Sequence, residues 1–184
     1  DEVFGAAPMG VMFKEDDRYN AGNPYAATKA GAEQLCVSFE NTYSLPMVIT
    51  HTMNVYGPRQ HPEKYIPLII NKILTEASKR HYLYSKDIAQ AVLFLMSNHK
   101  IGEKYNIVGD KEVDNLELAL KISKIMGMPL DYELIDPTVT RPRHDFRYSL
   151  CGKKMERLGW KQKIPLEDGL EQTIDWTLKN NRTA

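Results

Sequence analysis

The sequence predicts an α/β fold, and three observations carry that prediction. Leu45-Pro-Met-Val-Ile-Thr50 is a short, almost wholly apolar run of the kind that forms a buried parallel strand. It follows a long stretch, 24–43, that opens with helix start signals. Further helical patterns at 65–76, 87–98, 115–126 and 165–179 are interrupted by a second strand-like run, Glu103-Lys-Tyr-Asn-Ile-Val-Gly109.

Taken in order, Asp1-Glu2-Val3-Phe4-Gly5 reads as the end of a strand and its loop. Alternation along a strand would send the two adjacent carboxylates to opposite sides, so that both could approach one substrate. The plain alternative is a solvated acidic terminus. Residues 6–22, with Gly, Pro and mixed charge, read as a surface loop. Asn23 is a good N-cap, and Pro24 suits a first helical position because its missing N–H would be unpaired there anyway. Tyr25 and Lys29 then lie one turn apart on one helix face. A phenol beside an ammonium at a helix N-terminus sits in a positive field that favours the phenolate, which suits it to take a proton from an alcohol. Two ordinary helix residues would satisfy the same spacing. Ala27, Ala30, Gly31, Leu35 and Phe39 add a small-residue face that permits close helix packing.

The loop after the apolar strand, His51-Thr-Met-Asn54-Val-Tyr-Gly-Pro-Arg-Gln60, stands where ligands of open α/β sheets bind, beyond the carboxyl end of a strand. Ile66, Ile69, Ile70 and Ile73 recur at helical spacing and belong to the core. Asp87 is placed to cap helix 87–98. Asp114 and Glu117 form a capping box for helix 115–126, closed by Gly127. Arg141-Pro-Arg-His144-Asp-Phe-Arg147-Tyr148 is a cation cluster on a Pro-stiffened loop, either a clamp for a diphosphate or a solvated basic surface. Leu166, Leu170, Ile174 and Leu178 finish the chain as packing.

Bulk properties exclude several classes of function. The 184 residues are 42% hydrophobic, enough for a real core and close to one domain in length. Lys+Arg and Asp+Glu balance at 24 each, so no global field argues for nucleic acid or a membrane surface. The first residues show no basic-then-apolar leader pattern, and no apolar run is long enough to span a bilayer. Cys36 and Cys151 form no disulfide framework; reduced thiols in the cytoplasm are the simpler reading. Nothing suggests a metal site.

Three strings carry a resemblance to a known family. Asn23-Pro-Tyr-Ala-Ala-Thr-Lys-Ala-Gly-Ala-Glu33 resembles the active-site helix of the extended short-chain dehydrogenase/reductases (the NAD-dependent epimerase/dehydratase family), most of all their nucleotide-sugar 4,6-dehydratases. Asp1-Glu2-Val3-Phe4-Gly5 resembles that family's Thr-Asp-Glu-Val-Tyr-Gly, and Arg141–Tyr148 resembles its Arg-Pro-Gly-His-Asp-x-Arg-Tyr. The resemblance implies the C-terminal part of a Rossmann-type fold with its smaller α/β substrate-binding domain. Residues 1–60 would end the Rossmann-type domain, and 61–184 would mainly bind the sugar nucleotide, with some segments returning to the Rossmann sheet. The chain starts without Met and has no Gly-x-Gly-x-x-Gly turn, so on this reading a cofactor-binding half precedes Asp1.

The same resemblance implies an NAD-dependent lyase acting through a 4-keto sugar, with Asp1, Glu2, Tyr25 and Lys29 catalytic. Tyr25, Lys29 and Val55 would contact NAD. Asn54, Lys64, Tyr65, Arg80, Asn106, Arg141, His144 and Arg147 would contact the nucleoside-diphosphate sugar, and the active-site helix would join a homodimer. Three departures stand out: His51 replaces the usual Arg, Arg143 replaces a Gly, and the segment Thr75–Ser78 is shorter than the family's β-turn. A sugar-nucleotide epimerase or decarboxylase, which usually carries Ser where Asp1 stands, is the nearest rival. A non-catalytic binding or dimerisation module is the other.

Overall fold

Helix α1 (Pro24–Tyr43) begins and ends where its sequence signals place it. Asn23, in extended conformation, accepts a hydrogen bond from the Ala26 amide through its side chain. Ser44 closes the helix in the left-handed region at φ 52°. The computed structural model describes residues 1–71, 79–130, 132 and 147–180. Around α1 it arranges β1 (Ile49–Thr52), β2 (Asn54–Tyr56), α2 (Tyr65–Asn71), β3 (Lys79–Tyr84), α3 (Ser85–Asn98), β4 (Lys104–Ile107), β5 (Glu112–Asp114), α4 (Asn115–Met126), α5 (Lys153–Arg157) and α6 (Leu166–Asn180).

The strands form two small sheets among the described residues. β1 pairs with β4 in parallel, with His51 opposite Asn106. β2 pairs with β3 in parallel and β3 with β5 antiparallel. Met53, at the break between β1 and β2, donates its amide to Ile107 O and so hands the chain from one sheet to the other. This mixed α/β arrangement, with helices following parallel strands, is the predicted fold class.

Three apolar clusters hold these layers together. The largest packs Tyr56, Tyr82 and Tyr84 of the mixed sheet against Ile66, Ile69 and Ile70 of α2, Leu118 and Ile122 of α4, and Leu170 and Ile174 of α6. A second joins Leu83, Ala91, Leu95, Tyr105, Ile107, Met155 and Trp160. The smallest, Val3, Phe4, Met53, Tyr148 and Leu150, underlies the N-terminal turn.

Several boundaries differ from expectation for local reasons. Glu2–Phe4 is a short 3-10 turn, not a strand end, because Gly5 takes φ 76° and returns its amide to Glu2 O. The strand predicted at 45–50 forms later, at Ile49–Thr52, and is not buried throughout, since Leu45 and Thr50 are exposed. The second predicted strand is trimmed to Lys104–Ile107. Asp87 does not cap α3, which starts at Ser85; its buried carboxylate instead accepts from the amides of Lys163 and Ile164, tying that segment to α3. Asp114 caps α4 by accepting from Glu117 N, while Glu117 pairs with Lys121, so half of the expected capping box is present. The expected end of helix 65–76 and the short segment Thr75–Ser78 lie outside the described residues.

Gly169, in the first turns of α6, permits a close approach to the sheet. A Cβ there would meet Tyr56 Oη at 2.2 Å and Tyr84 Cδ2 at 3.0 Å. Gly169→Ala should therefore displace the Tyr56 hydroxyl from Leu166 O and destabilise the protein by about 1–3 kcal/mol in urea unfolding. Gly31→Ala, on a helix surface with open space, should instead stabilise by up to about 1 kcal/mol in the same measurement.

Candidate active site

Beside α1 lies a cavity of about 700 Å³, within the usual size of small-molecule sites. Asp1 and Glu2 line it from the N-terminal turn, Tyr25, Lys29 and Glu33 from one face of α1, and Asn54 and Val55 from β2. Lys64 reaches it from the start of α2, and Cys36 also faces it. All four predicted catalytic residues and three of the predicted binding residues therefore converge on one space.

Local structure explains the convergence. Tyr25, Lys29 and Glu33 follow one another at four-residue intervals, so one helix face carries all three. Tyr25 is 61% exposed, its phenol accessible to a ligand. Asn23 has two tasks. Its carbonyl oxygen caps α1, and its amide nitrogen donates to Glu2 Oε2 at 3.1 Å. The turn carrying the acids is thus moored to the start of the helix carrying the phenol.

Below the cavity lies a polar network that the sequence motifs did not reveal. The Glu33 carboxylate faces His51 Nε2 at 2.9 Å and Lys104 Nζ at 3.0 Å, and accepts from the Tyr19 hydroxyl. Burial would raise the Glu33 pKa, but hydrogen bonds from His51, Tyr19 and Lys104 outweigh it and hold the group at about 2. Burial, and then the bond to Glu33, push the Tyr19 hydroxyl up to about 12. Desolvation works against the Lys104 ammonium, yet its bonds to Tyr19 and Glu33 leave its pKa raised. The one signal for this network was position: Glu33 continues the Tyr25–Lys29 face by one more turn.

Other predicted site residues are placed elsewhere. Asn106 is fully buried; it donates through Nδ2 to Phe13 O and Cys151 O, and its own amide is held by Glu15. Tyr65 turns into the core and donates to Asn115 O at 2.7 Å, and burial raises its pKa. Arg147 is 9% exposed and grips Glu112 with two nitrogens, while Nη1 donates to the carbonyls of Pro8 and Val11. These three were expected to contact substrate; in this structure their polar groups are engaged inside the fold. Arg80 lies on β3 opposite Val113, but its side chain is outside the described set, as are Arg141, Arg143 and His144. Among the described residues no cluster of His, Cys, Asp and Glu could hold a metal ion, and both described cysteines are free thiols. No helix among them is long and apolar enough to cross a membrane.

The family model described as GDP-mannose 4,6 dehydratase matches residues 1–173. The chain belongs to this family. It is 35% identical over 193 residues to dTDP-D-glucose 4,6-dehydratase of Mus musculus, covering 98% of the chain and 54% of the mouse protein. The crystal structure of dTDP-glucose 4,6-dehydratase from Bacillus anthracis, in complex with NAD, superposes with a TM-score of 0.88 at 30% identity, covering 99% of this chain and 60% of that one. UDP-glucose 4-epimerase of Thermus thermophilus superposes almost as closely, with a TM-score of 0.87 at 22% identity, covering 97% of this chain and 61% of that one. That second likeness shows the fold alone, a Rossmann-type α/β architecture. The chain thus spans little more than half the length of these relatives.

The pKa of Glu33 sets an acid limit on the network. Its folded value lies below that of an unfolded carboxyl, so its contribution is fully present above about pH 4.5 and is lost as pH falls towards about 2. The contribution is on the order of 2–3 kcal/mol for a side chain this buried. Urea unfolding between pH 5 and pH 2.5 should show that loss in the native protein, and Glu33→Gln should flatten the corresponding slope.

Proposed function

We propose that this chain carries the catalytic and substrate-binding residues of a nucleoside-diphosphate-hexose 4,6-dehydratase, a lyase that uses NAD. The observation that supports it best is the convergence of Asp1, Glu2, Tyr25 and Lys29 on one cavity. Two acids, a phenol and an ammonium are the groups that oxidation of an alcohol followed by loss of water requires.

Tyr25, Lys29 and Val55 line the cavity together and fit the nicotinamide end of NAD, with Lys29 suited to the ribose hydroxyls. When bound, NAD supplies the oxidation at C4 of the sugar and the matching reduction at C6. The protein's own groups move the protons. Tyr25 accepts the O4 proton as the C4 ketone forms. That ketone acidifies the C5 proton, which Glu2 takes. Asp1 protonates O6 as the C6–O bond breaks, so the hydroxyl leaves as water. Asn23 keeps Glu2 aimed at the cavity throughout.

Asn54 and Lys64 contact the sugar nucleotide from the cavity wall, in this reading, and Arg80, Arg141 and His144 its diphosphate and nucleotide. Residues 1–60 then supply mainly the catalytic side and 61–184 mainly the nucleotide side. Leu35, Phe39 and Tyr43 leave an apolar face exposed along α1, which supports assembly as a homodimer through that helix.

Asp1→Asn in the full-length protein tests the reading. C4 oxidation should survive, because Tyr25 and Lys29 are untouched, while loss of the C6 hydroxyl slows by about 100-fold or more. Rapid-quench analysis with dTDP-glucose should show a 4-keto hexose accumulating. Dehydration at full rate in the variant, or a wild-type protein that yields only the C4 epimer, would overturn the dehydratase reading.

A further inference from the structure

Two elements bring the proposed catalytic groups to the cavity, the N-terminal turn and α1, and one side chain touches both. His51, the third residue of β1, is 5% exposed and forms part of the cavity floor. Its Nε2 lies 2.9 Å from Glu33 on α1, one turn beyond Lys29. Its ring packs edge-on against Phe4, in the turn that holds Asp1 and Glu2, with centroids 5.1 Å apart and planes at 80°. Its own strand leads into Asn54 three residues later.

Both ring nitrogens have a polar partner. Asn106 directs its amide nitrogen to Phe13 O and Cys151 O, so the oxygen 2.9 Å from His51 Nδ1 is an acceptor. On the other side, the Glu33 carboxylate, which accepts from Tyr19 and Lys104, lies 2.9 Å from Nε2. The ring is therefore fixed at both edges. Within this chain, Ala26 and Glu33 are the two buried residues of α1's 20. Its contacts to the rest of this chain are therefore largely polar anchors, Asn23 at its start and Glu33 near its middle.

We propose that His51 is the positioning residue of this site, setting the separation between the acids on the N-terminal turn and the phenol and ammonium on α1. It acts through Glu33 and Phe4 rather than on the substrate. The proposal rests on the dehydratase reading for what is positioned, while the contacts themselves are independent of it.

The test uses the full-length protein with His51→Gln, His51→Arg, Glu33→Gln and the Glu33→Gln/His51→Gln double variant. In His51→Gln, amide hydrogen exchange over residues 24–33 should speed up by about tenfold or more, while α4, packed in the other core, keeps its protection. With dTDP-glucose, kcat should fall by about 10–100-fold and KM stay within about threefold, the signature of misplaced groups rather than lost substrate contact. His51→Arg, which keeps donors for Glu33, should recover both readouts to within about fivefold, and the double variant should be no worse than the poorer single variant. Unchanged exchange over 24–33, an equal loss of protection in α1 and α4, an unchanged kcat, or no recovery with Arg would each overturn the proposal. If the wild type fails to turn over dTDP-glucose, the dehydratase reading falls, and the exchange comparison still decides the role of His51.

Discussion

The buried carboxylate of Glu33 is the constraint on which the site depends. A charge at that depth is costly unless donors surround it, and removing one donor leaves the penalty standing. Glu33 collects its donors from the loop at Tyr19, from β1 at His51 and from β4 at Lys104. Segments as far apart in sequence as 19 and 104 are thereby required to meet at one point. Apolar packing tolerates small slippage, whereas three hydrogen bonds to one carboxylate do not. This is how a helix exposed along most of its length still presents Tyr25 and Lys29 in a defined place.

Stability and chemistry are drawn from different parts of the molecule. The largest apolar cluster, between the mixed sheet and α2, α4 and α6, contains none of the proposed catalytic residues. The catalytic turn stands on the smallest cluster, through Val3 and Phe4, and on the polar network. Arg147 completes this division. It clamps the loop at Pro8 and Val11 to Glu112 on β5, joining the small cluster to the larger sheet with charge-assisted hydrogen bonds.

What could be read from the sequence was what is local. Asn23-Pro24 announced the start of α1, the four-residue spacing put Tyr25 and Lys29 on one face, and Asp114 and Gly127 bounded α4. Contacts to distant partners were not legible. Asp87 stands near a helix start and looked like a cap, yet its amide partners are at 163 and 164. Arg147 stands in a basic string, and nothing in that string announces its pairing with Glu112. Tyr65 and Asn106 likewise donate to carbonyls far along the chain, at Asn115 and Phe13. His51 marks the other limit. As a single His in a loop it suggested nothing, and only the pairing of β1 with β4 sets it opposite Asn106.

At most helix starts Asn, Asp, Ser and Thr are close to interchangeable, because each offers an oxygen to the first free amides. Asn23 is not in that position. Its oxygen serves Ala26 N while its nitrogen serves the Glu2 carboxylate. Asp in its place would still cap the helix but would set one anion against another, and Ser or Thr is too short to span both partners. A residue that local rules would allow to vary is thus held to a single side-chain amide, which accepts at one atom and donates from another.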